Sequence, residues 1–179
     1  AQENYPSERV VNSFGVQDDF MYQYALPILN ERAGTGNPFF SVLLSISNHP
    51  PYVIPPYFHP HSDVLEEQIV EYADWSIRQF MQAAEKQPWF DNTIFVFLGD
   101  HGKMVGTPEC EMPQSYNHIP LMIYGKDIKP GVYDGFGGQV DVSPTLLGLL
   151  NISYLQNNFG VNLLEEERPC MFFTADNLI

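Results

Sequence analysis

A carboxylate and an imidazole stand side by side in Leu98-Gly99-Asp100-His101-Gly102, directly after the apolar run Thr93-Ile94-Phe95-Val96-Phe97. That run of β-branched and aromatic residues predicts a buried strand, and the flanking glycines let the backbone turn sharply as it leaves. Open α/β sheets bind ligands in the crevice outside the carboxyl ends of their strands. A carboxylate oxygen beside an imidazole nitrogen at such a place suits a divalent metal ion. Taken alone, the motif is equally a surface Asp-His turn.

Two further histidines bear on that choice. His49 lies in Ser47-Asn48-His49-Pro50-Pro51-Tyr52, directly after an apolar run ending at Ile46, and His118 lies in Tyr116-Asn117-His118-Ile119-Pro120-Leu121. A single loop histidine is ordinarily solvated or a cap. His49 and His101 both fall where a predicted strand ends, so parallel strands would bring them to one edge of a sheet. His118 joins them if the loop from Gly102 to Asn117 folds back.

The elements that must position these residues alternate between strand and helix. Asp18 and Asp19 precede Phe20–Leu29, predicting a helix with acids in its first turn and a proline, Pro27, inside it. Gly34-Thr35-Gly36-Asn37 is a turn signal. Phe39–Ile46 has the length and composition of a buried strand, and the proline-rich stretch from Pro50 to Pro60 reads as a loop. Leu65, Ile69, Ala73, Ile77, Phe80 and Ala84 recur at helical spacing as one apolar stripe. Ile119–Tyr124 reads as a strand with a proline near its start. Asp141 to Ser143 followed by Pro144 marks a helix start. This order predicts an α/β fold, a mainly parallel sheet flanked by helices.

Composition narrows the partners. The 179 residues carry 22 acids against 8 Lys and Arg, a formal charge of −14, and 44% of them are hydrophobic. Such a chain has material for a core and repels nucleic-acid backbones, so no nucleic acid is expected as a partner. Cys110 and Cys170 are far apart in sequence, and one disulfide or two free thiols are both open. Cys110 is followed by Glu111, Met112 and Pro113, which is not the context of a formylglycine-forming cysteine. No apolar run approaches the roughly 20 residues of a membrane span, and Ala1-Gln2-Glu3-Asn4 lacks the basic start and apolar core of a signal peptide. Thr107 and Ser115 read as loop hydroxyls, and Glu109 and Glu111 as solvated loop acids.

Asn48-His49-Pro50, Gly99-Asp100-His101-Gly102 and Gly138-Gln139-Val140-Asp141-Val142-Ser143-Pro144-Thr145-Leu146-Leu147 occur in that order. With them the chain, from about Phe14 to its end, resembles the C-terminal half of a sulfatase-type domain of the alkaline phosphatase superfamily. The resemblance is closest to the lipoteichoic acid synthase group of phosphoglycerol transferases. It implies that Asp100 and His101 supply two ligands to one catalytic divalent metal, Mn²⁺ or Zn²⁺. It implies that His49 lies near the substrate phosphate, or at a second metal as in the related phosphoethanolamine transferases, and that His118 is another active-site histidine. The Gly138–Asp141 run is a landmark expected to pack and cap a helix, with Asp141 not assigned to the metal. Lys103 departs from the aromatic or acidic residue of the relatives and reads as a surface lysine.

The same resemblance implies an anionic phosphodiester or sulfate-ester substrate, linked to lipid or glycan, and an extracytoplasmic site on a membrane-anchored parent. In this family the threonine nucleophile and an acidic metal ligand come from the N-terminal half of the domain. Residues 1–179 are therefore expected to be the C-terminal part of one sulfatase-like domain, inactive alone and weak or silent in metal binding. Strands left without neighbours are expected to expose an apolar edge that pairs with another chain. The alternatives are a true sulfatase and a non-catalytic phosphate- or sulfate-binding domain.

Overall fold

The computed structural model describes residues 5–11, 15–103 and 117–172, in two compact units, Ala1–Thr93 and Ile94–Ile179. In the first unit, helix α1 (Asp18–Gly34) begins with two acids in its first turn, where the exposed amides of a helix start favour negative charge. Both acids are buried, at 2% and 5% exposure, so they do more than meet the dipole. The helix runs through Pro27 and past the predicted end at Leu29. It closes where Thr35 Oγ1 donates to the Arg32 carbonyl (2.8 Å) and Gly36 takes the left-handed region at φ +73°.

Helix α2 (Leu65–Ala84) packs against α1. The predicted stripe is rotated slightly in the structure. Ile69, Phe80 and Ala84 are buried as expected, but Tyr72 and Ser76 share that face, while Leu65 is exposed. The polar pair is tolerated because each hydroxyl has a partner. Tyr72 donates to Asp19 Oδ1 (2.6 Å) and Ser76 to the Tyr72 carbonyl (2.8 Å). Tyr22 of α1 stacks on Phe80 of α2 at 5.0 Å between ring centroids. Past α2, Trp89 Nε1 donates to Asn30 Oδ1 on α1 (2.6 Å).

Phe39–Ile46, predicted as a buried strand, is not one here. The segment has no ladder partner among the described residues, and Phe40, Val42 and Leu44 are 86%, 71% and 72% exposed. A strand exists by virtue of its neighbours, so an apolar run alone leaves its backbone unpaired. Phe39–Ile46 therefore supplies no strand at whose end His49 would lie.

In the second unit, β1 (Phe95–Leu98) pairs with β2 (Leu121–Tyr124) in the register Phe95↔Tyr124, Val96↔Ile123, Phe97↔Met122, Leu98↔Leu121. The pairing is antiparallel, where a mainly parallel sheet was expected. A parallel neighbour needs a longer crossover connection back to the starting edge, which an antiparallel return does not. Pro120 sits just outside β2, where its missing N–H costs no ladder bond.

Helix α3 (Gln139–Leu149) starts two residues before the predicted Asp141. Gly138 is its N-cap, and Asp141, fully buried, accepts the Gly138 N–H (2.8 Å). Pro144, one turn on, cannot donate to the Val140 carbonyl. Gly160 lies against that carbonyl and the Pro144 ring, and a Cβ there would collide with Val140 O. Cys170 is a free, exposed thiol; Cys110, Thr107, Ser115, Glu109 and Glu111 lie outside the described residues.

Candidate functional site

β1 delivers Gly99, Asp100 and His101 in succession. The Gly99 N–H donates to the Pro120 carbonyl (3.3 Å), carrying the β1–β2 pairing one step past Leu98↔Leu121. A Cβ on Gly99 would meet Ile119 Cβ at 3.3 Å, so the close approach of the two chains favours glycine. Beyond it, Asp100 Oδ1 accepts the His101 N–H (3.0 Å), and His101 Nδ1 donates to the Gly102 carbonyl (2.7 Å). A carbonyl only accepts, so Nδ1 carries the proton and Nε2 of the neutral ring carries the lone pair.

His101 Nε2 lies 3.8 Å from Asp100 Oδ2, and both side chains are well exposed. A metal about 2.0–2.2 Å from each donor can span that separation. Anchoring the remote ring nitrogen on a backbone carbonyl is the support that metal-binding histidines ordinarily have. The two donors thus fit a divalent ion. Among the described residues no group of three or more His, Cys, Asp or Glu stands ready to complete the site.

His118 is exposed and lies two residues before Pro120, at the end of the ladder where Asp100 and His101 emerge. The antiparallel return of the chain puts it there; a parallel strand would not. His49 belongs to the other unit, Ala1–Thr93. It too is exposed and donates from Nδ1 to the next carbonyl, that of Pro50 (2.8 Å), which leaves the lone pair on Nε2.

The loop bearing His49 is held from α1. Asp18 Oδ1 accepts the Ile46 and Ser47 amides (2.9 and 3.0 Å), and the Asp18 N–H donates back to Ser47 Oγ (3.1 Å). The His49 N–H then closes a turn onto the Ile46 carbonyl (3.0 Å). Beside this clasp, Asp19 accepts hydroxyl protons from Tyr57 (2.8 Å) and Tyr72 (2.6 Å). Burial first, and then the Asp19 carboxylate, push the Tyr72 hydroxyl well above its ordinary pKa. Burial and the Asp18 charge push Tyr22 up to about 12.

The Asp100 turn is held from α3. Gln139 Nε2 donates to the Asp100 carbonyl (2.7 Å) and to the Gly99 carbonyl (3.2 Å). Asp141 locks the start of that helix, accepting the Val161 N–H (2.8 Å) and the guanidinium of Arg168 (2.6 Å from Nη2 to Oδ1). Burial raises the Asp141 pKa, but the hydrogen bonds from Arg168, Val161 and Gly138 outweigh it and hold the carboxyl below its ordinary value. Neither Asp18 nor Gln139 stood out in the sequence as a residue of the site. Asp18 signals itself only as an acid in the first turn of a helix, and Gln139 only as a member of the Gly138–Asp141 run.

The sulfatase family profile matches residues 1–152. The chain belongs to the sulfatase family. It is 26% identical over 190 residues to lipoteichoic acid synthase 1 of Bacillus subtilis, which covers 89% of this chain and 28% of that protein. It is 29% identical over 121 residues to the choline-sulfatase of Rhizobium meliloti, covering 60% of this chain and 22% of that one. A crystal structure of an alkaline phosphatase superfamily protein from Vibrio parahaemolyticus superposes with TM-score 0.79 at 29% identity, over 95% of this chain and 41% of that chain. The lipoteichoic acid synthase LtaP from Listeria monocytogenes superposes with TM-score 0.76 at 26% identity, over 90% and 46%. The α/β fold is accordingly that of the alkaline phosphatase superfamily. The chain spans less than a third of the length of these curated relatives and less than half of each solved chain.

Proposed function

We propose that this sulfatase-family chain is the C-terminal part of a metal-dependent enzyme that transfers or hydrolyses phosphoglycerol-type phosphodiesters. The observation that carries the reading is the 3.8 Å separation of Asp100 Oδ2 and His101 Nε2, with the far ring nitrogen anchored on Gly102. In this reading the two residues are ligands to one Mn²⁺ or Zn²⁺, which when bound lowers the pKa of the attacking oxygen and neutralises charge at the phosphoryl group. As imidazolium, with a proton on Nε2 as well, His49 and His118 hydrogen-bond the non-bridging oxygens of the substrate, and either one protonates the leaving oxygen. The nucleophile, a threonine, and a further acidic ligand belong to the N-terminal part of the domain. The site works outside the cytoplasm, on a lipid- or glycan-linked anionic ester, in a protein anchored to the membrane. No helix among the described residues is long and apolar enough to cross one.

The match to a choline-sulfatase favours one second reading, hydrolysis of a sulfate ester through formylglycine. A single assay separates the two. The full-length polypeptide is incubated with Mn²⁺ or Zn²⁺ and either a glycerol-phosphate diester or an aryl sulfate. Metal-dependent turnover of the diester, reduced more than about a hundredfold by Asp100→Ala or His101→Ala, is the expected result. Turnover of the sulfate alone selects the second reading, and diester turnover indifferent to both substitutions overturns the assignment of the ligands. Residues 1–179 by themselves are expected to show no turnover and no tight stoichiometric metal binding in calorimetry. The exposed Phe40, Val42 and Leu44 supply an apolar edge through which that shorter chain is expected to self-associate. A strict monomer in light scattering would refute it.

A further inference from the structure

Gln139 reaches from the first position of α3 to two successive backbone carbonyls at the exit of β1. Those carbonyls, of Gly99 and Asp100, belong to the two peptide planes on either side of the Asp100 Cα. Holding both planes sets φ and ψ of Asp100, since the planes themselves are rigid and only these two torsions are soft. The direction of the Asp100 side chain follows, and so does the start of His101. Only a donor can do this, because a carbonyl accepts and never donates. A carboxamide supplies two N–H bonds from one nitrogen without adding charge next to a carboxylate.

The lever is itself braced. Asp141 fixes the first turn of α3 by accepting the Gly138 N–H (2.8 Å), and Arg168 and Val161 hold Asp141 in turn. Arg168 also donates to the Phe159 carbonyl (2.5 Å), which ties the brace to the loop beyond α3. On the other side of the turn, the Gly99 N–H is held by Pro120. Both faces of the peptide chain entering Asp100 are therefore secured, one by Pro120 and one by Gln139.

We propose that Gln139 is a positioning residue that holds the Asp100-His101 pair in ligand geometry, with Asp141 and Arg168 as its brace. The proposal rests on the reading of Asp100 and His101 as metal ligands, and its test has a readout that does not depend on that reading. Gln139→Met keeps the length of the side chain and removes both donors, while Gln139→Lys restores a donor. Backbone ¹⁵N order parameters at Asp100 and His101 are measured without metal, and Mn²⁺ affinity is measured by electron paramagnetic resonance of the free ion, which reports weak binding. In Gln139→Met the order parameters are expected to fall from about 0.85 toward about 0.6, and Mn²⁺ affinity about tenfold, the size of effect outer-shell partners usually have. Gln139→Lys is expected to recover the order parameters. Unchanged order parameters in Gln139→Met overturn the proposal, as does loosening with Mn²⁺ affinity unchanged. If wild type and Asp100→Ala bind Mn²⁺ equally, the ligand reading fails, and the order parameters alone then decide whether Gln139 holds the turn.

Discussion

The two units of this chain each hold a histidine-bearing turn from the first turn of a helix, and they do it with opposite chemistry. In the first unit a carboxylate, Asp18, accepts the amides of Ile46 and Ser47 just ahead of His49. In the second a carboxamide, Gln139, donates to the carbonyls of Gly99 and Asp100 just ahead of His101. Asp18 is buried at 2% exposure, whereas Gln139 is exposed. A buried charge must be fully paired or the fold suffers, while an exposed amide hydrogen bond competes with water. The first clasp thus belongs to the core of its unit. The second orders a surface turn, and the burden of stability in its unit passes to Asp141.

The sharpest way to break this contrast is Asp141→Ala, which strands the Arg168 guanidinium and the Val161 and Gly138 amides. Removing one partner of a buried pair typically costs about 3 kcal/mol or more, read as a fall in the urea midpoint of the second unit. Asp18→Ala follows, at about 2 kcal/mol for two amides left unpaired in the interior of the first unit. A loss there no larger than that of an exposed substitution would erase the distinction between the clasps.

Acid gives the next largest effect. The folded-state pKa of Asp141 is lowered, so the stability it contributes is present above the ordinary aspartate pKa, about 3.9, and is lost as pH falls through the lowered value. Denaturation midpoints taken downward from about pH 5 should drop in the wild type, and Asp141→Asn should flatten that dependence. A wild-type curve as flat as the variant's would show that Arg168 contributes no net stabilisation. The smallest effect is expected from Gln139→Met, within about 0.5 kcal/mol of wild type in the same melts, since its hydrogen bonds are solvent-exposed. A cost comparable to that of Asp18→Ala would make it a core element instead.

How far these arrangements were legible in the sequence depends on how local their causes are. The starts of α1 and α2 and the position of β1 follow from runs of neighbouring residues. Tyr72 and Ser76 joined the buried face of α2 against the apolar stripe because Asp19, far back in the chain, receives the tyrosine hydroxyl. Helix α3 starts two residues ahead of the Asp141 that the sequence pattern marks, since Gly138 and Asp141 form its cap together. Phe39–Ile46 looked like a strand by composition, and composition says nothing of whether a neighbour is there to pair with it.

The chemical inventory is already present in the order of residues: the Asp100-His101 pair behind a strand, His49 and His118 in loops, and the motif order that marks the sulfatase family. Those signals are local, carried by residue type and short spacing. The antiparallel return that sets His118 at the end of β1, the clasp of Asp18 on Ser47, and the bridge from Gln139 to the Asp100 turn were decided by tertiary structure. Each is a hydrogen-bonded meeting of residues more than twenty positions apart in the chain, formed only once the chain has closed and both partners have left water.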